Sequence, residues 1–475
     1  MTGTFEGHAS VPANGYEPPG FDEAFEADGS PRAHYADLIA GLGEVDLSDL
    51  GDRVTRLMVD QGVHFGEGQG STFRIDPIPR ILEGAEWLVL ERGLVQRTRA
   101  LAAFVADVHG DRTIVAAGRV PARVIETAGD FEPWMTGVEL PLGGYVAGLD
   151  LVRDSDAVLR VLEDNIRTPS GMAYVLAARE ALDLHLGVTP APGRVDPSPA
   201  LDMLGAALRS AAPEGVHEPN VVVLSDGPEN SAWFEHQRIA QALDIPLVSR
   251  EDLLVRSGRL FAELGGARPQ QVDVVYRRTN VDRLRDRTGR PTWLADCLLA
   301  PVRRATLSVV NPFGSGVADD KLVHAYVEEM VRFYLGEEPV LESVPTYDLG
   351  EPDVREKALS RLGELVVKPR SGLGGEGIVV CPHASPDDRQ LIERRVKHEP
   401  ESWVAQELVA ISTHPTVIDG RLEPRHVDLR PFVVGGGERA KAVPGALTRV
   451  AFGEGSLVVN SAQNGGAKDT WVMAS

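Results

Sequence analysis

The chain has 475 residues, 43% of them hydrophobic and 25% charged, the balance of a globular protein with a sizeable core and room for two or three domains. A formal net charge of −22 opposes any approach to phosphodiester backbones, so nucleic acid is excluded as an expected substrate or partner. Two cysteines, Cys297 and Cys381, do not make a disulfide framework or a Cys-based zinc site, and no basic-then-apolar leader or run approaching about 18 apolar residues is present; the expectation is a cytoplasmic protein with no membrane association.

Residues 1–30 are polar and rich in Gly, Pro and acidic side chains, which predicts a loosely ordered arm. The unit over 31–140 reads as mostly helical as far as Gly110, with Trp87–Leu90, Leu94, Leu101, Phe104 and Val105 in helical spacing. Over 141–215, the stretch YVAGLDLVRDSDAVLRVLEDN (145–165) predicts two strands joined by a turn around Arg153–Asp156, and a helix follows over 172–186. After the Pro-rich stretch at 188–200, strands VVVLS, IPLVS, VDVVYRR and LSVVN alternate with helical segments. They predict a small α/β sheet over 216–330, the kind of unit that serves as a substrate lobe. A helix is expected from about Asp320 to Leu335, and strands at 403–410 and 425–434 fall in two last units, 331–408 and 409–475. The fold class is therefore α/β (α+β), with no internal repeat.

The most informative stretch is LVVKPRSGLGGEGIV at 365–379. Gly372, Gly374, Gly375 and Gly377 lack a Cβ, so backbone N–H groups can close on phosphate oxygens, and Lys368 places a point charge beside them. A Rossmann or Walker loop must open a helix, but Ile378–Val380 reads as a strand, which predicts a β-hairpin flap over a nucleotide. The kinase glycine loop also fits Gly372-x-Gly374-x-x-Gly377-x-Val379, but the H-R-D and D-F-G motifs are missing. A glycine turn between two ordinary strands gives the same pattern.

In VLRVLEDNIRTPSG, period-two alternation places Glu163, Asn165 and Arg167 on one face and turns Asp164 away. Glu and Asn oxygens at that spacing suit Mg²⁺, and Asp150 on the preceding strand is a further carboxylate. Strand-end polar residues before the turn Thr168–Gly171 are the plainer reading. In RHVDLRPFVV, His426, Asp428 and Arg430 share a face, as they also would in a solvated edge strand. Arg449 and a turn carrying Asn460, Gln463, Lys468 and Asp469 close the series.

Taken in this order, the segments resemble the circularly permuted type 2 ATP-grasp proteins related to glutathionylspermidine synthase. The likeness runs from FDEAF at 21 to KDTWV at 468, with VLEDN about two hundred residues ahead of the flap. It implies a permuted ATP-grasp fold with a helical N-terminal region and a small substrate lobe. It assigns Glu163 and Asn165 as Mg²⁺ ligands with Asp150 upstream. ATP is assigned to Lys368, Arg370, the flap glycines, the hinge residues Gln406 and Glu407, and Asp428. The chain has Gly148 where glutathionylspermidine synthase has an arginine. The segments GPENSAWFEH, VVYRRTN and NPFGSGVADDK make Asn230, Arg277, Arg278, Asp319, Asp320 and Lys321 candidates for substrate contact, with Ser170 and Asn460; helix caps and a strand end are the plainer readings. The implied activity is an ATP- and Mg²⁺-dependent carboxylate–amine ligase acting through an acyl phosphate on an amino acid or small peptide. Lys368 with Arg449 or Arg430 would offset the developing charge. The alternatives are a non-catalytic ATP-binding subunit and a phosphotransferase; a homo-oligomer or protein partner is left open.

Overall fold

The computed structural model describes residues 16–66, 71–140, 143–188, 192–266, 268–286, 288–372, 377–456 and 465–475. Its centre is an eight-stranded sheet built around the long strand Arg421–Val434. On one side this strand pairs antiparallel with Lys441–Ala451, then come Gly465–Val472 and, parallel at the edge, Ile75–Leu82. On the other side it meets Thr413–Ile418, Asp150–Arg153 and Val146–Gly148, and Leu159–Glu163 forms that edge. Inward Val427 and Leu429 are fully buried, so alternation sends Asp428 and Arg430 together to the opposite face.

Ile75–Leu82 departs from the helical pattern expected for 31–140. Pro77 and Pro79 mask it in the sequence, and their missing N–H groups are tolerated because the strand lies at the sheet edge. The helices expected in that region are present at Leu47–Asp60, where the Asp46 carboxylate accepts the Ser48 and Asp49 amides, and at Gly84–His109, which buries Leu94, Leu101, Phe104 and Val105. Of the expected loose arm, Asp22–Phe25 are packed: Ala24 and Phe25 are buried, and Glu23 takes two hydrogen bonds from Arg80, at 2.7 and 2.6 Å.

The lobe sheet is parallel, in the order Ser308–Val310, Val274–Arg278, Val221–Ser225, Leu247–Val248, the four strands expected from the sequence. The hairpin Leu365–Pro369 with Val379–Val380 joins Trp403–Glu407 and Thr346–Asp348 in an antiparallel sheet. Leu365, Val367, Ile392, Val396 and Ala405 give this third unit its own small core, apart from the two larger ones beneath the main sheet and lobe. No helix among the described residues is long and apolar enough to cross a membrane.

Candidate active site

The main sheet and the flap sheet face each other across the site. On the main sheet Asp150 and Glu163 are register partners. Asp150 is buried and accepts hydrogen bonds from Arg430 Nε at 2.6 Å and Nη2 at 2.7 Å, with Arg449 Nη2 at 3.0 Å and Asn165 Nδ2 at 3.3 Å. Burial works to raise its pKa, but Arg430 and Arg449 outweigh burial and hold it below the usual carboxylate range. Arg449 also grips Asp428, its partner across the ladder, with Nε at 2.9 and 3.0 Å from the two carboxylate oxygens. Asp164 turns away, as alternation requires, and is held by Arg97 at 2.6 and 2.9 Å and by His324 at 2.6 Å. Glu163 is left facing the cleft with 31% of its side chain exposed.

Across the cleft, Lys368 Nζ lies 3.7 Å from Glu163 Oε1. The lysine is buried, and burial pushes its pKa down while Glu163 opposes the shift. Leu162, Thr346, Val404, Gln406 and Lys321 complete the walls. Gln406 donates to Thr346 Oγ1 at 2.9 Å and to the Leu162 carbonyl at 3.4 Å, tying the hinge strand to the main sheet. Lys321 donates to the Gly372 carbonyl at 3.0 Å, at the start of the glycine loop. Gly372 and Gly377 have φ of 138° and 74°, the region open to glycine. Gly374, Gly375, Asn460 and Gln463 lie outside the described residues. Asp319 also borders the cleft, accepting the Ile166 amide at 2.7 Å, and burial raises its pKa to about 7 against the pull of Arg167.

The remaining candidates fall elsewhere. Glu407 points to Tyr347 at 2.5 Å and Arg361 at 3.1 and 3.2 Å, on the outer side of its strand. Arg370 is buried and bonds Asp320, Thr127 and the Val124 carbonyl, which makes it a strap between flap and N-terminal region. Asp320 also caps the helix Lys321–His324 through the Leu322 amide. In the lobe, Arg278 meets Ser170, the Pro169 carbonyl at 2.9 Å, and His236 and Glu235 at 3.3 Å. Asn230 donates to the Arg278 carbonyl at 3.3 Å, and Arg277 points to the other face of the lobe sheet. Lys468 and Asp469 are deep in the main sheet on Asp76 and Arg179, and His426 faces the Ile411 carbonyl at 2.9 Å. Leu162, Thr346 and Val404 had no sequence signal as site residues, because apolar or hydroxyl side chains on short strands read as core.

The donor set fits a magnesium nucleotide. Glu163 and Asn165 offer oxygens at one sheet edge, and among the described residues no three His, Cys, Asp or Glu side chains gather as a self-sufficient metal cage. Mg²⁺ needs no such cage, since it takes one or two carboxylates and fills its sphere with water and phosphate. Lys368, a buried ammonium with its nearest carboxylate at 3.7 Å, lacks the close anion that phosphate would supply.

Residues 79–451 match the sequence family described as circularly permuted ATP-grasp type 2. The chain belongs to this family. Among its relatives are an uncharacterised protein of Mycobacterium tuberculosis, 40% identical over 96% of this chain and 84% of its own length, and one of Synechocystis, 40% identical over 96% and 98%. A putative glutamate–cysteine ligase of Frankia alni is 43% identical over 96% of this chain, which spans 54% of that protein. A solved structure of a glutathione synthetase-like effector from Globodera pallida, in apo form, matches 90% of this chain and 98% of its own with a TM-score of 0.57. At 12% identity that likeness speaks for the ATP-grasp fold alone.

Proposed function

We propose that the protein is an ATP- and Mg²⁺-dependent carboxylate–amine ligase that forms an amide or peptide bond through an acyl phosphate. The observation that carries the reading is the meeting of Glu163 on the main sheet with Lys368 on the flap, 3.7 Å apart over one cleft. Lys368 and Lys321 would hold phosphate oxygens, while Gln406 sets the hinge strand that receives the base. Glu163 and Asn165 would hold the Mg²⁺, whose charge, when bound, offsets that of the transferred phosphoryl group. The carboxylate of the first substrate would attack the γ-phosphorus, expelling ADP. The amine would then attack the acyl carbon and expel phosphate. Arg430 and Arg449 are fixed by Asp150 beside this path, so they present charge without reorganising. The kinship to a putative glutamate–cysteine ligase supports a small amino acid or peptide as carboxylate.

The test is ADP release with Mg²⁺ and ATP over a panel of amino acids, short peptides and polyamines. Release should require one carboxylate–amine pair and yield the amide. Glu163→Ala should lower it by about a hundredfold or more while the protein stays folded. Tight ATP binding without release for any pair would favour a non-catalytic nucleotide-binding role, and a phosphorylated end product would favour a phosphotransferase.

A further inference from the structure

In the lobe sheet the chain goes from Val221–Ser225 outward to Leu247–Val248, then returns across to Val274–Arg278 and on to Ser308–Val310. The order reverses between Val221–Ser225 and Val274–Arg278, and the crevice beyond the carboxyl ends of such a pair is where open parallel sheets take ligands. Arg277 and Arg278 stand at that end, on opposite faces. Arg278 is fully engaged by Ser170, Pro169, Glu235 and His236.

Arg277 is not. Its side chain is 1% exposed, yet Nε and Nη1 have no hydrogen-bond partner, and among the described residues no carboxylate forms an ion pair with it. Its guanidinium carbon lies 5.4 Å from the centre of the Phe313 ring. Burial pushes its pKa down to about 10, with Asp282 opposing from a distance. A buried cation with donors unmet is a costly arrangement that a core position does not need, since an apolar side chain of similar volume would fill the space. Asp282 does not relieve it, because that carboxylate is taken by Arg167 at 2.8 Å. Arg167 in turn lies 3.9 Å from Asp319, which borders the nucleotide cleft. The charges of Asp282 and Arg167 both act on Arg277, so the unmet guanidinium lies within electrostatic reach of the residues that border the place where a carboxylate would be activated.

We propose that Arg277 receives a second carboxylate on the substrate, so that the acid activated by this protein is a dicarboxylate or an amino dicarboxylate. The proposal rests on the ligase reading. Nucleotide phosphate is a less fitting source of the missing acceptor, because Arg277 is not part of the wall shared by Glu163, Lys368 and Lys321.

Thermal unfolding of the full chain tests it with glutarate and L-glutamate against butyrate and L-glutamine, and with inorganic phosphate and Mg²⁺–ATP as separate arms. At about ten times the dissociation constant, glutarate or L-glutamate should raise the wild-type midpoint by about 2 °C, and butyrate and L-glutamine should not. Arg277→Met, which removes an unmet charge and keeps apolar volume, should unfold no lower than wild type without ligand, lose the dicarboxylate shift and keep the Mg²⁺–ATP shift. A fall in its ligand-free midpoint would make Arg277 structural and overturn the proposal. So would a dicarboxylate shift that survives in the variant, the absence of any such shift in the wild type, or a phosphate shift that equals glutarate's and vanishes with Arg277. ADP release is read apart from this. Dicarboxylate binding through Arg277 without release from any pair would sink the ligase reading alone, whereas release driven by a monocarboxylate and undiminished in Arg277→Met would sink this proposal alone.

Discussion

Asp150 shows how residue type and residue duty separate. Its carboxylate is one of the expected metal ligands, but it is held by Arg430 and Arg449, and Arg449 also holds Asp428. Arg449→Ala leaves two buried carboxylates short of a cation, so it should cost about 3–5 kcal/mol in urea unfolding. Glu163→Ala removes a part-exposed group and should cost at most about 1 kcal/mol. If both variants unfold alike, the arginine clamp carries no structural burden and its charge is free for catalysis alone. Gly148 is the complementary case, standing where the related synthase has an arginine. A Cβ there would lie 2.7 Å from Pro169 Cβ and 3.3 Å from the Phe432 ring, so Pro169 already fills the space. Gly148→Ala should destabilise by about 1–3 kcal/mol through overpacking, and an unchanged urea midpoint would show that Pro169 yields freely.

The segment 16–35 forms scarcely any regular secondary structure yet is fixed by ionic contacts to the main sheet. Glu23 is buried between Arg80 and Arg153 and accepts from Ser412 at 2.5 Å. Burial acts to raise its pKa, but Arg80 and Arg153 prevail and take it from 4.5 to about 2. A carboxylate depressed on folding contributes stability above pH 4.5 that is lost as pH falls toward 2, here about 3 kcal/mol. Glu23→Gln should therefore lower stability at pH 7 and flatten its decline between pH 4.5 and 2, as urea midpoints across that range would show. An equally steep decline in the variant would place the acid sensitivity elsewhere. The sequence hid this segment because its anchors, Asp22 and Glu23, read as solvated charge until their partners at 80, 153 and 413 are brought near. It hid Ile75–Leu82 for another reason, the two prolines that an edge strand accepts. By contrast the lobe strands and the flap hairpin were legible, since β-branched runs bounded by turns need no tertiary contact to be seen. Placement on the cleft was legible where chemistry and strand alternation coincide, as at Glu163 and Lys368. Arg370 and Glu407 show the limit: type and position suggest nucleotide contact, while their bonds in the fold run to other protein groups.

At the scale of the molecule, the flap unit is a small domain with a separate core, joined to the rest by polar links such as those of Arg123 and Tyr326 to Asp348. Another is Arg370, which bonds Asp320 of the lobe at 2.8 and 3.1 Å and reaches Thr127 and Val124 of the N-terminal region at 2.6 Å each. One buried guanidinium thus ties the three units that enclose the cleft, beside the lysine expected to meet phosphate. A unit with so small a core, held to its neighbours by polar ties, should open locally with less free energy than the main sheet, whose strands share the large cores. Asp320→Asn keeps the helix-capping oxygen and removes the charge facing Arg370. Hydrogen exchange should then quicken about tenfold in Leu365–Pro369 and Trp403–Glu407 and stay unchanged in Arg421–Val434. Mg²⁺–ATP, which Lys368 and Glu163 would hold in the proposed reading, should slow exchange in the same two strands in wild type and variant alike. Equal acceleration in the main sheet would mean that flap and core open as one unit, and the Arg370 tie would then be a consequence of the packing around it.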